Sequence, residues 1–263
     1  MTYDYETLSV ETRGKLLTLT MNRPEKLNAV NATMHTELSR VFDRINEDDS
    51  VEVVVLTGAG RAFSSGGDTQ WMQRMIEDNA TWRKTSREGK KIVLSLLDLE
   101  KPVIAKINGP AVGLGATLAL FCDVIFISDQ GSVGDPHVKM GFVAGDGGAA
   151  IWPYLIGFAR AKEFLFTGEL IPGPQAAQMG LVNHCVPHDE LDARVEEFAQ
   201  RLLGGAIRAI AWTKMAINAP LRALASQNLE ASIALEGLSN FTADHQEAVK
   251  AFNEKRQPVF TGA

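Results

Sequence analysis

Short apolar runs alternate with amphipathic stretches through the first two thirds of the chain. Runs rich in β-branched or aliphatic residues predict strands, and they lie at 8–11, 16–21, 51–57, 103–107 and 124–128. Between them, apolar positions three and four residues apart predict helices, at about 31–46, 68–75, 81–99 and 116–122. An alternation of strands and helices is typical of an α/β fold with a mostly parallel sheet.

From residue 145 onward the pattern is mostly helical. Helices are predicted at about 147–156, 159–166, 174–179, 189–203, 207–218, 221–240 and 244–255, with a short strand at 182–186. Pro220 is interpreted as a boundary between two helices, because proline lacks the N–H that a helix interior uses. The pattern divides the chain into an α/β core, residues 1–190, and a C-terminal helical region, residues 191–263. The apolar faces of the late helices either cover the core or meet another subunit.

Composition and charge narrow the classes of partner. The chain has 263 residues and a net charge of −6, which argues against nucleic acid, since that partner usually requires a basic face. The longest apolar stretch, 111–122, is too short to span a bilayer, and the acidic N-terminus lacks the apolar core of a secretory signal. Cys122 and Cys185 lie in apolar surroundings and indicate reduced thiols. We therefore expect a cytoplasmic protein without a membrane partner.

Two glycine-rich turns, 58–68 and 109–115, each follow a predicted buried strand and precede a helix. The unpaired N–H groups at such a helix start favour an anion, either a phosphate or a developing oxyanion. Gly113-Leu114-Gly115 is not a dinucleotide fingerprint, because Leu118 occupies the place of the third glycine or alanine. The oxyanion is thus the favoured interpretation. Asp68 is predicted to be a helix N-cap rather than a catalytic group.

Several motifs, in order and spacing, resemble the crotonase, or enoyl-CoA hydratase/isomerase, superfamily over nearly the whole chain. They are GAGRAFSSGGD at 58–68, KPVIAKING at 101–109, GLG at 113–115, CD at 122–123, FTG at 166–168, AAQMGLV at 176–182 and AFNEKR at 251–256. The resemblance implies an α/β spiral of repeated strand–strand–helix units with a C-terminal helical trimerisation region. It implies a homotrimer or homohexamer that acts on an acyl-CoA thioester. Coenzyme A is then part of the substrate, and neither a separate cofactor nor a metal is expected.

The resemblance also assigns roles to residues. The backbone N–H groups of Gly67 and Leu114 fall at the positions of the oxyanion hole. Such a pair of donors stabilises a thioester enolate or a tetrahedral oxyanion. Positions that contact coenzyme A in the family are occupied here by Lys26, Ala29, Asp68, Thr69, Gln70, Phe252 and Lys255. The last two often come from a neighbouring subunit, and taken alone each basic residue is an ordinary solvated charge.

One departure from the family bears on the reaction. Its hydratases carry two glutamates that handle the water, and this chain has Thr117 and His137 at those positions. The loop at 134–153 instead resembles the 6-oxocamphor hydrolase branch, which hydrolyses β-diketones, and there His137 and Asp146 match a histidine and an aspartate that act on a C–C bond. A carboxylate beside an imidazole fixes its tautomer and raises its basicity. The structural alternative is that His137 is an ordinary loop histidine and Asp146 a helix N-cap.

The sequence therefore predicts an acid–base pair, His137 and Asp146, beside an oxyanion hole. The reaction is C–C hydrolysis of a β-dicarbonyl or acyl-CoA compound, or alternatively hydration or isomerisation of an enoyl-CoA. A non-catalytic coenzyme A binder is the hypothesis from another class. His35 is predicted to lie on the polar side of its helix. The other histidines are too scattered along the chain to suggest a metal site. Glu236, on a late helix, could reach an active site, but its position relative to the family motifs is ambiguous.

Overall fold

The computed structural model describes residues 2–263. Its strands are β1 (Leu8–Arg13), β2 (Leu16–Met21), β3 (Val53–Gly58), β4 (Val103–Ile107), β5 (Pro110–Val112), β6 (Val124–Ser128), β7 (Ser132–Gly134), β8 (Ile171–Pro172) and β9 (His184–Val186). Its α-helices are α1 (Ala32–Asn46), α2 (Thr69–Glu77), α3 (Asn79–Asp98), α4 (Leu114–Leu120), α5 (Gly148–Ile156), α6 (Phe158–Thr167), α7 (Gly173–Gln178), α8 (Leu191–Leu203), α9 (Ile207–Asn240) and α10 (Ala243–Asn253).

Six strands form the main sheet, in the order β1-β2-β3-β4-β6-β9. Only the β1–β2 hairpin is antiparallel, and every other neighbouring pair is parallel. A second sheet, in the order β5-β7-β8, holds the turn that leads into α4. The predicted α/β fold with a mostly parallel sheet is confirmed.

Both faces of the main sheet are covered, which explains why β3 is buried at every position. Val54 and Leu56 belong to the larger core with α1 and α3, whereas Val53 and Val55 pack toward α8 on the opposite face. The continuous β-branched run that predicted this strand is therefore the signature of a strand with no solvent-exposed face.

The boundary predicted at Pro220 is wrong, because α9 continues through it as a single helix of 34 residues. Contacts with α3 on both sides of the proline hold the helix together. Asn218 Nδ2 donates to the Leu97 carbonyl at 3.1 Å, and the Arg222 guanidinium pairs with Asp98. Tertiary packing thus compensates for the hydrogen bond that proline cannot make.

His35 is not on a polar helix face as predicted, because it is 3% exposed. It lies three and seven residues before Leu38 and Phe42, and so shares the face of α1 that packs against α3. Within residues 2–263 no helix is long and apolar enough to cross a bilayer.

Candidate active site

The two glycine-rich turns meet in space. Ser64 and Ala111 form an isolated parallel bridge, and a Cβ placed on Gly113 would lie 3.7 Å from the Gly66 Cα. Gly66 and Gly113 have φ values of 90° and 55°, a region that side chains other than glycine rarely adopt. These turns place Gly67 and Leu114 on the wall of one cavity. Among residues 2–263, neither of their N–H groups has a hydrogen-bond acceptor.

The cavity holds about 530 Å³ of space that no protein atom fills, including the part that is open to solvent. Most of its wall is apolar, and the side chains responsible are Trp71, Met72, Met75, Trp82, Leu114, Phe142 and Ile233. Its ionisable side chains are His35, His137, Asp146 and Glu236. An apolar cavity with a few convergent polar groups and two free N–H donors is suited to holding an acyl group while its carbonyl becomes anionic.

His137 opens a 3₁₀ turn, His137–Met140, directly after Asp135-Pro136. Its Nδ1 hydrogen-bonds with Oδ1 of Asp135, a carboxylate that is 1% exposed, and its Nε2 lies 3.6 Å from Oδ2 of Asp146. Burial favours the neutral ring, but attraction to Asp135 and Asp146 outweighs it and raises the pKa of His137 to about 10. The ring therefore carries a proton on both nitrogens at neutral pH.

Asp146 is the partner that the sequence predicted for His137, and the structure brings the two together. The hydrogen bond that fixes the orientation of the ring, however, comes from Asp135, which the sequence alone did not indicate. The signal was present as a carboxylate two residues before the histidine, with a proline between them. Asp146 is not the N-cap of α5, since Gly147 occupies that position.

Thr117 supports Asp146 from the helix that follows the oxyanion turn. The hydroxyl of this fully buried threonine donates to Oδ1 of Asp146 at 3.2 Å. Burial nevertheless raises the pKa of Asp146, the charge of His137 opposes that shift, and the charge of Asp135 adds to it. Thr117, which occupies the position of a family glutamate, thus hydrogen-bonds to Asp146, the carboxylate that faces His137.

Glu236 adds a third carboxyl group to the site from α9, and it is 6% exposed. Gly145 allows this approach, because a Cβ there would lie 2.5 Å from the Glu236 Cβ. Burial, together with the charge of Asp146, raises the pKa of Glu236 well above its usual range, although His137 lowers it. Burial thus favours the protonated form of Glu236, which lies beside the pair of His137 and Asp146.

The predicted coenzyme A contacts fall into two groups. Lys26 and Ala29 lie next to the segment 67–70, because Val30 bridges to Gly67 and Arg23 pairs with Asp68 at 3.3 Å. Asp68 is the N-cap of α2, as predicted, and accepts from the Gln70 N–H at 3.0 Å; Thr69 is the first residue of that helix. In contrast, Phe252 near the end of α10 and Lys255 just after it are exposed, and neither lines the cavity.

Three side chains of the site are close enough together to bind a metal ion, namely Asp135, His137 and Asp146. Each offers one ligand atom, and these atoms lie within 4.8 Å of one another. Both ring nitrogens of His137 already face carboxylates, however, and a protonated nitrogen has no lone pair for a metal. The absence of a metal remains a prediction.

Comparison with known proteins gives one consistent family. Residues 11–263 match the family model described as enoyl-CoA hydratase/isomerase. A crotonyl-CoA hydratase from Syntrophomonas wolfei is 34% identical over 257 residues, which cover 97% of this chain and 98% of that protein. Among solved structures, an enoyl-CoA hydratase/isomerase from Mycobacterium paratuberculosis has a TM-score of 0.91 and 37% identity, covering 94% of this chain and 99% of the other. The predicted crotonase fold is thereby confirmed.

A β-diketone hydrolase from Anabaena, solved with (S)-3-oxocyclohexyl acetic acid, is also similar to the chain. The two share 31% identity and a TM-score of 0.84, over 90% of this chain and 95% of the other. The similar proteins thus include a hydratase and a β-diketone hydrolase, and the sequence left open the choice between these two reaction types.

Proposed function

Because the chain belongs to the enoyl-CoA hydratase/isomerase family, we propose that it catalyses the addition of water to an enoyl-CoA thioester. The N–H groups of Gly67 and Leu114 hold the thioester oxygen, Asp146 and Glu236 transfer the protons, and the imidazolium of His137 supports the charged form of Asp146. The observation that carries this proposal is that the two free donors and the three ionisable groups line one largely apolar cavity. Each such donor contributes on the order of a hundredfold in rate.

In this reaction the oxygen of water adds to C3 of the thioester and a proton adds to C2. The imidazolium of His137 stabilises the carboxylate of Asp146. Asp146 then takes the proton from the attacking water. The enolate that forms is held by Gly67 and Leu114, and Glu236, which carries a proton because burial raises its pKa, gives that proton to C2. Return of the proton from Asp146 to Glu236 restores the resting state.

C–C hydrolysis of a β-dicarbonyl compound is the second candidate, and it uses the same groups. Water adds to a carbonyl as Asp146 takes its proton, the bond to the neighbouring carbon breaks, the enolate so released takes a proton from Glu236, and Asp146 returns its proton to Glu236. This reaction is favoured by the absence of the two family glutamates at Thr117 and His137, and by the similarity to the β-diketone hydrolase.

The predicted coenzyme A contacts belong to this proposal. One group lies together at the oxyanion turn and comprises Lys26, Ala29 and the segment 68–70. This proximity supports their binding the coenzyme A portion of the substrate together. Phe252 and Lys255 are proposed to serve a neighbouring subunit in a homotrimer or homohexamer. Exposed apolar side chains on the late helices support such an assembly, and they include Trp212, Ile217, Leu235 and Leu238.

Incubation in ¹⁸O-labelled water distinguishes the reactions. Crotonyl-CoA, acetoacetyl-CoA and a cyclic β-diketone are each supplied, and the products are analysed by mass spectrometry. Hydration places the label in a C3 hydroxyl group, whereas C–C hydrolysis places it in a new carboxylate. Tight binding of these thioesters without turnover, unchanged by His137→Ala, would contradict both reactions and identify a non-catalytic coenzyme A binder.

A further inference from the structure

His35 is a second histidine in the cavity, and the proposed mechanism does not use it. Helix α1 buries it to 3% exposure, and its ring lies 4.9 Å from that of Trp71. It lines the same space as Gly67, Leu114 and His137. The surrounding wall is mainly apolar, so an imidazole there is a specific polar contact for whatever fills the cavity.

Only one side of this imidazole is occupied by the protein. Nδ1 lies 3.1 Å from Oε2 of Glu88, and the Thr36 hydroxyl donates to both oxygens of the same carboxylate at 3.0 and 3.1 Å. Burial acts to raise the pKa of Glu88, but the hydrogen bond and charge of His35, together with Thr36, keep it lowered. Glu88 is therefore ionised and accepts the Nδ1–H. Within residues 2–263, Nε2 of His35 has no hydrogen-bond partner.

Gly89 keeps the space in front of Nε2 open. It lies in the interior of α3, where glycine is less favourable than alanine. Packing does not require it, because among residues 2–263, and apart from its chain neighbours and the backbone of its own helix, an added Cβ would lie within 4 Å of Nε2 of His35 alone, at 3.9 Å. Gly89 also lines the cavity. A helix-weakening residue whose one effect on packing is to leave the imidazole uncovered points to a ligand at that place.

We propose that His35 is a substrate-binding residue whose Nε2 hydrogen-bonds to a second oxygen function, a hydroxyl or a carbonyl, on the acyl group. The natural substrate is then a thioester whose acyl group carries an oxygen function besides the thioester carbonyl and the one that hydration adds at C3. A neutral imidazole accepts from a hydroxyl, and a protonated one donates to a carbonyl, so either form recognises such a group. This inference rests on the proposed function, because it assumes that an acyl group occupies the cavity.

Matched pairs of coenzyme A thioesters test the assignment by calorimetric binding. The pairs are pentanoyl-CoA with 4-oxopentanoyl-CoA and hexanoyl-CoA with 5-oxohexanoyl-CoA, whose extra oxygen lies beyond C3. The unaltered protein is expected to prefer the oxygenated member of at least one pair by about tenfold, the effect of one well-placed hydrogen bond. His35→Phe is expected to reduce that ratio to about one. His184→Phe, on the exposed end strand β9, is the matched control and leaves the ratio unchanged.

Gly89→Ala provides a second variant in which the pair of His35 and Glu88 stays intact. It is expected to raise Tm, because alanine is the better helix former, and yet to lower the preference for the oxygenated thioester. A merely structural role of His35 would not produce that combination. An unchanged ratio in both variants, or no preference in the unaltered protein, overturns the assignment of His35. Failure of the unaltered protein to bind any of the thioesters overturns the proposed function as well, and so is distinguishable.

Discussion

Nε2 of His137 lies 3.6 Å from Oδ2 of Asp146, on a ring whose Nδ1 is hydrogen-bonded to Asp135. One imidazolium thus neutralises part of a buried group of three carboxyls, the third being Glu236. Burial raises the pKa values of Asp146 and Glu236, and the negative charge of their neighbours adds to the shift, because a single cation does not compensate three buried carboxylates. The site thus favours a proton on Glu236 next to the oxyanion donors, where a reaction through an enolate requires one.

Replacing Asp135 with asparagine removes the anion that holds the His137 ring. We expect kcat to fall on the order of a hundredfold or more, because the ring loses its fixed orientation and its charge is no longer stabilised. The pKa of His137 should move down from about 10. Steady-state kinetics and NMR titration of the imidazole measure the two effects.

Asp129→Asn is the matched control for this change. Its Oδ1 accepts from the His188 N–H at 3.0 Å, and Asp129 does not line the cavity. It should leave kcat and the His137 titration unaltered. If Asp135→Asn behaved in the same way, the proposed support of His137 by Asp135 would be disproved.

Thr117→Val keeps the shape of the buried side chain but removes the hydroxyl that donates to Asp146 at 3.2 Å. We expect a loss of about 1 kcal/mol in the free energy of unfolding and a decrease of about fivefold in kcat, since Asp146 loses a partner for its charged form. Urea denaturation and kinetics measure these. Thr57→Val, which removes a comparable 2.9 Å bond to the Lys106 carbonyl away from the cavity, should reduce stability only. Equal losses of kcat in both variants would contradict the role given to Thr117.

Much of the fold could be predicted because burial on two faces leaves a direct trace in sequence. The runs at 103–107 and 124–128 coincide with β4 and β6 to the residue. The boundary predicted at Pro220 is wrong because local propensity does not include the contacts of α9 with α3, and the helix continues through the proline.

The site was predictable where a backbone conformation demands a particular residue. Glycines marked the turns of Gly67 and Leu114, and the pairing of His137 with Asp146 was implied by the resemblance of the loop at 134–153 to the 6-oxocamphor hydrolase branch. The contact between Asp135 and His137 depends on a turn at Pro136 and on complete burial, which no periodicity reports. The prediction that His35 lies on a polar helix face is wrong because its register with Leu38 and Phe42, and not its polar residue type, decides that it is buried.

Removal of divalent cations is expected to leave catalysis unchanged. His137 is protonated on both nitrogens at neutral pH, so Asp135, His137 and Asp146 bind a cation less well than their 4.8 Å proximity suggests. Dialysis against EDTA followed by kinetic assay measures this. Loss of turnover that a divalent metal restores would show that the cluster is a metal site.

The free energy of unfolding should fall as pH rises from 7 to 10. His137 has a pKa of about 10 in the folded protein and about 6.5 when unfolded, so its contribution is complete below pH of about 6.5 and is lost as pH rises through about 10. The raised pKa values of Asp146 and Glu236 act in the same direction from each group's ordinary pKa upward until its folded pKa is passed, because over that interval the folded carboxyl keeps a proton that the unfolded chain has released. One such proton changes the free energy by at most about 1.4 kcal/mol per pH unit. Urea denaturation across this range measures how the free energy of unfolding changes with pH. His137→Gln is the reference, because lysines and tyrosines titrate equally in both proteins and cancel in the difference. A profile as steep in His137→Gln as in the unaltered protein would show that His137 does not hold its proton between Asp135 and Asp146.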